Sequence, residues 1–241
     1  MKKLVLISAI ALMTASAASA SVFDDFRDKL QSQYMKPFAR DIGGLLGAAD
    51  FHSGRTVGFP GFDVGVTGSV QATPSSDNGI LRDSGVKMFG LPLVQATVGL
   101  PYNIDVSARG MSMAGATIIG GGIKYGVFRH DLAKMLPDVS VGAFYDSLSQ
   151  DYVKMNHFST SLAASFDLPI VKPFASAGMD WTHLEAKVDG GDVTSGASVN
   201  TAEPRFSVGV GVTPFPLVYA FGAYNWLHGN SGFELGAGVR F

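Results

Sequence analysis

His157 and Ser159 stand two residues apart in a segment, 153–167, whose apolar and polar residues alternate. On an extended strand that spacing puts both side chains on one face, where an imidazole can take a proton from a hydroxyl. A base beside a hydroxyl is the minimum of a nucleophilic acyl-transfer site. The rest of such a site, a group that orients the base and donors for an oxyanion, is not legible in the chain. His157 and Ser159 are therefore the weak catalytic candidates, set against the simpler reading of polar residues on an inward strand face. The five histidines, His52, His130, His157, His183 and His228, are scattered and show no zinc spacing. There is no phosphate-cradling loop and no nucleophile elbow. Gly120-Gly121-Gly122 lies inside an alternating segment, where it gives room for packing or a bend. No cofactor and no metal site are expected.

The elements that would carry these residues are strands. From Gly61 onward ten segments show period-two patterning: 61–73, 86–100, 103–111, 116–128, 139–148, 153–167, 172–187, 205–213, 217–227 and 232–241. Phe62, Val64, Val66 and Val70 oppose Asp63, Thr67, Ser69 and Gln71; Phe206, Val208, Val210 and Val212 oppose Ser207, Gly209, Gly211 and Thr213. The ninth segment is apolar on both faces and cannot be phased. Most segments approach the nine to eleven residues that a tilted membrane strand requires. Only 16 % of the 241 residues are charged, against about 25 % in ordinary soluble domains. Beyond residue 20 no apolar run reaches the length of a membrane helix. Apolar surface spread out in alternation suits a closed barrel, the one sheet that satisfies all its backbone groups in lipid. The polar face, with Asp63, Gln71, Asp105, Arg109, Lys124, Asp146 and Asp180, then lines a lumen in which opposite charges pair across a narrow interior.

The connections agree. Alternate ones, 100–103, 128–138, 167–169 and 213–216, all contain proline, and all but 128–138 are short, as periplasmic turns should be. Residues 131–136 are expected to form one helical turn. The longest connections, 74–85 and 188–204, are expected to face outward. Aromatic residues gather near strand ends: Tyr145, Phe158, Trp181, Phe206, Tyr224 and Trp226 toward the outer side, Phe62, Tyr125, Phe166 and Phe241 toward the inner.

The final strand carries a resemblance. Phe233, Leu235, Ala237, Val239 and Phe241 form one apolar face, and Glu234, Gly236, Gly238 and Arg240 the other. Glu234, Gly236, Val239 and Phe241 fill the places of the closing-strand signal of bacterial outer-membrane β-barrels, although Val239 is not aromatic. The chain thus resembles a small single-chain outer-membrane barrel, porin-like or uncharacterised. The resemblance implies barrel-assembly machinery and outer-membrane lipid as partners. His157 and Ser159 also resemble part of the active-site motif of outer-membrane lipid A deacylases, which continues with asparagine and a small residue where this chain has Thr160 and Ser161.

The N-terminal part completes the reading. Lys2-Lys3, the apolar run Leu4–Met13 and Ala18-Ser19-Ala20 have the form of a signal peptide cleaved after Ala20. Losing Lys2 and Lys3 takes the formal charge from −2 to −4, which argues against a nucleic-acid partner. No cysteine is present, so neither a disulfide nor a lipid anchor on cysteine is possible. Phe23, Phe26, Leu30, Tyr34, Phe38, Ile42 and Leu45 mark an amphipathic helix over 21–48. Ser21 would cap it, Asp24 and Asp25 would meet its dipole, Pro37 would kink it, and Gly43, Gly44 and Gly47 would end it. Because the lumen face reads as mostly small and polar, this helix is expected at the periplasmic side, closing the barrel mouth or lying on the membrane surface, with a plug inside the lumen as the alternative.

The expected organisation is a signal peptide (1–20), a helix and linker (21–59) and an all-β, antiparallel transmembrane barrel of about ten strands (60–241). The expected role is non-enzymatic, in the bacterial outer membrane: a narrow or gated conduit for small solutes, or a structural envelope component. The alternatives are a lipid-modifying enzyme using His157 and Ser159, and surface recognition through the loop 188–204.

Overall fold

A computed structural model describes residues 26–113, 115–128 and 136–241. The leader, Ser21, Phe23, Asp24, Asp25 and all but the last residue of the expected turn at 131–136 lie outside the described residues. Ten antiparallel strands form a closed barrel: β1 (Phe62–Gln71), β2 (Phe89–Leu100), β3 (Ile104–Met113), β4 (Ala116–Phe128), β5 (Asp138–Ser149), β6 (Val153–Ser165), β7 (Val171–Ala186), β8 (Ser198–Phe215), β9 (Val218–Leu227) and β10 (Asn230–Arg240). Each strand pairs with its chain neighbours, and β1 closes on β10 in a register that sets Val64 opposite Val239 and Val70 opposite Phe233. Closure gives every strand a partner on each side.

The period-two pattern fixes which face looks out. Val64, Val66, Val98, Val106, Ile123, Val208, Val210 and Leu235 form part of an exposed apolar exterior, as contact with lipid requires. Asp63, Gln71, Asp105, Arg109, Lys124, Asp146 and Asp180 are all buried on the lumen side, as the alternation predicts. The ninth segment now has a phase: Phe221, Ala223, Asn225 and Leu227 are buried, whereas Val218 and Trp226 are exposed. One end of the barrel carries the short connections 101–103, 166–170 and 216–217, together with the start of β1 and the end of β10; the other carries the long connections 72–88 and 187–197. One strand differs from expectation. β8 begins at Ser198, seven residues before the expected start, because 198–204 pair with 179–185 of the long β7. Its polar sequence and Pro204 read as loop, but β7 projects far enough to template it.

The N-terminal part departs most from expectation. Helix α1 (Ser32–Ala48) runs unbroken through Pro37 and through Gly43, Gly44 and Gly47. The hydrogen bond that Pro37 cannot donate would have gone to the carbonyl of Gln33, an exposed residue of the first helical turn. The expected periplasmic position is also corrected. α1 lies within the lumen, in the half nearer the long loops. Met35, Phe38, Ile42, Leu45 and Leu46 are at most 2 % exposed and form one core with Phe89, Leu91, Leu93, Ile118, Leu148, Met155, Leu184 and Leu227 on the barrel wall. That half of the wall is apolar on its inner face, contrary to the small and polar lumen expected, so the helix finds its hydrophobic partner inside the barrel. The chain then descends past Asp50 and Phe51 to the opposite end, makes a cis Phe59–Pro60 bond and enters β1.

Candidate functional site

The most unusual chemistry lies where α1 ends. Asp50, the second residue beyond the helix, is 1 % exposed and reaches the barrel wall at mid-depth. Its carboxylate accepts from Arg109 Nη2 (3.1 Å), Arg205 Nη2 (3.0 Å), Ser159 Oγ (2.7 Å) and Ser161 Oγ (3.0 Å). Each arginine holds a second carboxylate through two nitrogens. Arg109 donates to Asp146 at 2.8 and 2.6 Å, and Arg205 to Asp180 at 3.0 and 3.3 Å. Arg109 also donates to the Leu46 carbonyl (3.1 Å), satisfying one of the orphan acceptors at the helix end, and its guanidinium lies 4.0 Å from the centre of the Phe144 ring. The result is a clamp of three carboxylates and two guanidiniums, all buried, joining the plug to β3, β5, β7 and β8.

His228 extends the clamp. Its Nε2 lies 2.8 Å from Asp180 Oδ2 and its Nδ1 2.8 Å from the Arg40 carbonyl. Both ring nitrogens thus lie within hydrogen-bond distance of an oxygen, one on the wall and one on the helix. An isolated charge in such a place would be very costly. Here each one meets opposite charge and fixed donors, which is the condition under which buried ions persist.

The glycines of α1 explain how the helix reaches the wall. A Cβ on Gly47 would lie 2.5 Å from the Asp180 carboxylate and 2.7 Å from Arg205 Nε, and one on Gly43 would lie 2.2 Å from Thr182 Oγ1. These residues do not end the helix, as the sequence suggested. They let its backbone approach charged and hydroxyl groups more closely than any side chain allows.

Two further carboxylates, Asp41 in mid-helix and Asp192 at the helix start, tie α1 to the loops. Asp41 accepts from Gln71 Nε2 (3.0 Å), Ser75 N (2.9 Å) and Asn78 Nδ2 (2.8 Å), and from the Ser75 hydroxyl, tying α1 to the 72–88 loop. Within that loop, the short helix α2 (Gly79–Arg82) contributes Ile80 and Leu81 to the core. At its start α1 has no side-chain cap of its own. Asp192, from the 187–197 loop, accepts instead from Ser32 N (2.8 Å) and Ser32 Oγ (2.5 Å), capping the helix across 160 residues of sequence. These bonds, the one from the Ser32 hydroxyl first, hold the Asp192 carboxyl below the ordinary aspartate range.

The catalytic candidates sit inside this assembly. Ser159 is fully buried and its hydroxyl donates a hydrogen bond to Asp50; His157 is fully buried with Nδ1 2.9 Å from Thr182 Oγ1. His157 Nε2 lies 3.8 Å from Asp180 and has no hydrogen-bond partner among the described residues. The two are on one face, as the spacing predicts, but their hydrogen bonds go to other groups, beneath the plug. Among the described residues no group of three or more histidine, aspartate or glutamate side chains is placed to hold a metal ion. Asp50 and Arg205 are the functional residues that sequence reading missed. Arg205 stood at the expected first residue of its strand, and Asp50 in an expected linker.

The model of a family described as a family of unknown function, DUF6588, matches residues 77–239. No curated protein matches the sequence. Among solved structures, the chain is similar to the N-terminal β-barrel domain of Pseudomonas aeruginosa OprF (14 % identity, 75 % of this chain and 97 % of that one, TM-score 0.38). It is also similar to Ail of Yersinia pestis (12 %, 76 % and 100 %, 0.36) and to the translocator domain of the autotransporter NalP from Neisseria meningitidis (15 %, 87 % and 99 %, 0.40).

Proposed function

The chain belongs to the family of unknown function DUF6588, and we propose that it is a plugged outer-membrane barrel, non-enzymatic, closed to solutes at rest and gated by its own N-terminal helix. The observation that carries this reading is the Asp50 clamp at the foot of a helix packed in the lumen. Burial of Met35, Phe38, Ile42, Leu45 and Leu46 is worth roughly 1.5–3 kcal/mol for each side chain, an upper estimate, so thermal motion alone rarely lifts the helix out. A conduit built this way opens only when the plug is displaced. The leader, the apolar exterior and the closing-strand signal support an outer-membrane location in a Gram-negative-type bacterium. The signal at Glu234, Gly236, Val239 and Phe241 is proposed to recruit the assembly machinery. Acyl hydrolysis by His157 and Ser159 gains no support, since the Ser159 proton already serves Asp50.

Planar-bilayer recording tests the gate. The full chain should be silent, whereas Phe38→Asp with Ile42→Asp should expel the helix and conduct while the barrel stays folded. A steadily conducting wild-type chain would refute the plug. A folded but silent double mutant would favour the second reading, a static envelope component, to which the extensive apolar packing of the helix also lends support.

A further inference from the structure

The plug has a direction. Phe26 to Ser32 pack against the end of the barrel that bears the long loops. Phe26 and Leu30 are buried, and the backbone of Leu30 and Arg27 runs beside Gly190 and Gly191, where added Cβ atoms would lie 2.4–3.5 Å from Leu30 and Arg27 atoms. Arg27 Nη1 donates to Tyr152 Oη (3.1 Å), Ser32 is held by Asp192, and Arg40 Nη2 lies 2.5 Å from Asp77 Oδ1. Tyr152, Asp192 and Asp77 all belong to connections at that same end. From there the chain runs one way only. Gly43 and Gly47 pass Thr182 and Asp180, Asp50 reaches the waist, the Gly54 N–H donates to Ser165 Oγ (3.0 Å), and the Val57 N–H donates to Asp105 near the short turns (2.9 Å to the nearer oxygen). Residues 26–60 therefore traverse the whole lumen, from the long-loop end to the short-turn end, before the first strand begins.

In outer-membrane barrels the short turns face the periplasm and the long loops face the outside. We infer that the chain is threaded from outside to inside, with the segment before α1 emerging at the cell surface among the loops 72–88 and 187–197. The inference rests on the outer-membrane reading above and adds to it that the free end of the gate is reached from outside the cell, so an agent that displaces the helix acts on residues 27–33 from that side.

The chain has no cysteine, so single introduced cysteines report cleanly. Gln33 is exposed on the first turn of α1, Ser195 on the 187–197 loop and Tyr102 on a short turn. In intact cells expressing the full chain, a membrane-impermeant maleimide should label Gln33→Cys and Ser195→Cys, and should label Tyr102→Cys only after permeabilisation. Asp28→Cys, also exposed, is a second reporter should Gln33→Cys not fold, with folding checked by heat-modifiable gel mobility. Labelling of Ser195→Cys without Gln33→Cys or Asp28→Cys would overturn the threading while leaving the barrel orientation intact. Labelling of Tyr102→Cys alone would overturn the orientation, and with it the surface position of the segment. Neither outcome bears on whether the lumen conducts, which the bilayer recordings decide separately.

Discussion

The two halves of the lumen are built from the same ten strands, yet they behave as different solvents. Toward the long loops, Phe89, Leu91, Leu93, Ile118, Leu148, Met155, Leu184 and Leu227 face inward and meet the apolar stripe of α1. Toward the short turns, Asp63, Thr97, Asp105, Ser107, Lys124, Ser140 and Ser165 face inward, and the chain that passes them is an irregular segment that uses backbone N–H groups. Phe51 against Phe144, His52 stacked on Phe221, and Phe174 against Phe221 supply apolar contacts there. A helix satisfies its own backbone and so fits an apolar wall. An irregular strand cannot, and fits only where side chains offer acceptors and donors. The charge clamp stands at the boundary, where the helix ends and its last carbonyls need partners.

The comparison can be broken at the boundary, then in the apolar half, then at its rim. Arg205→Ala should have the largest effect, because it leaves Asp50 and Asp180 buried with lost partners. Removing one member of a buried ion pair costs about 3–5 kcal/mol, which should appear as a lower unfolding midpoint in denaturant titration of the barrel in detergent. A midpoint unchanged from wild type would mean that water reaches the clamp. Gly47→Val should come next. Its side chain meets the Asp180 carboxylate and Arg205, and overpacking typically costs about 1–3 kcal/mol. The helix should be pushed from the wall, and conductance should rise together with the loss of stability. A Gly47→Val chain as stable and as silent as wild type would show that the close approach is not needed.

The smallest effect concerns acid. Because Ser32 lowers the carboxyl of Asp192, the cap is fully formed above the ordinary aspartate value of about 3.9 and is lost as pH falls through the lowered one. A spin label at position 33 should gain mobility in that acid range, and Asp192→Asn should already show much of that mobility at neutral pH. Identical spectra for both chains at all pH values would remove Asp192 as the cap.

Much of the barrel is legible in the chain because a strand in lipid leaves a local mark. Val208 and Val210 must face hydrocarbon and Ser207 must not, whatever the neighbouring strands do, so alternation alone places Asp63, Arg109, Asp146 and Asp180 inside. The candidate site was legible in half. Arg109 and Asp146 stood among the predicted inward charges, and His157 and Ser159 shared the predicted face. Asp50 and Arg205 were hidden for different reasons. Asp50 lies outside any periodic segment, and Arg205 is in mid-strand only because β7 extends the pairing of β8 past Pro204.

By itself the sequence determined that this chain closes ten strands into an apolar-coated barrel and carries an amphipathic N-terminal helix, because both follow from short-range periodicity. Where that helix goes was decided by tertiary structure. Its stripe needs an apolar partner, and membrane surface, periplasmic mouth and lumen all offer one on paper. The choice depends on strand register, which collects Leu93, Leu148, Leu184 and Leu227 from strands far apart in sequence into one inward apolar zone. It depends as well on glycines that let backbone touch charge, and on an aspartate that meets two arginines 59 and 155 residues further along the chain. Such coincidences are properties of the closed barrel and of no single segment, so only the folded chain brings them together.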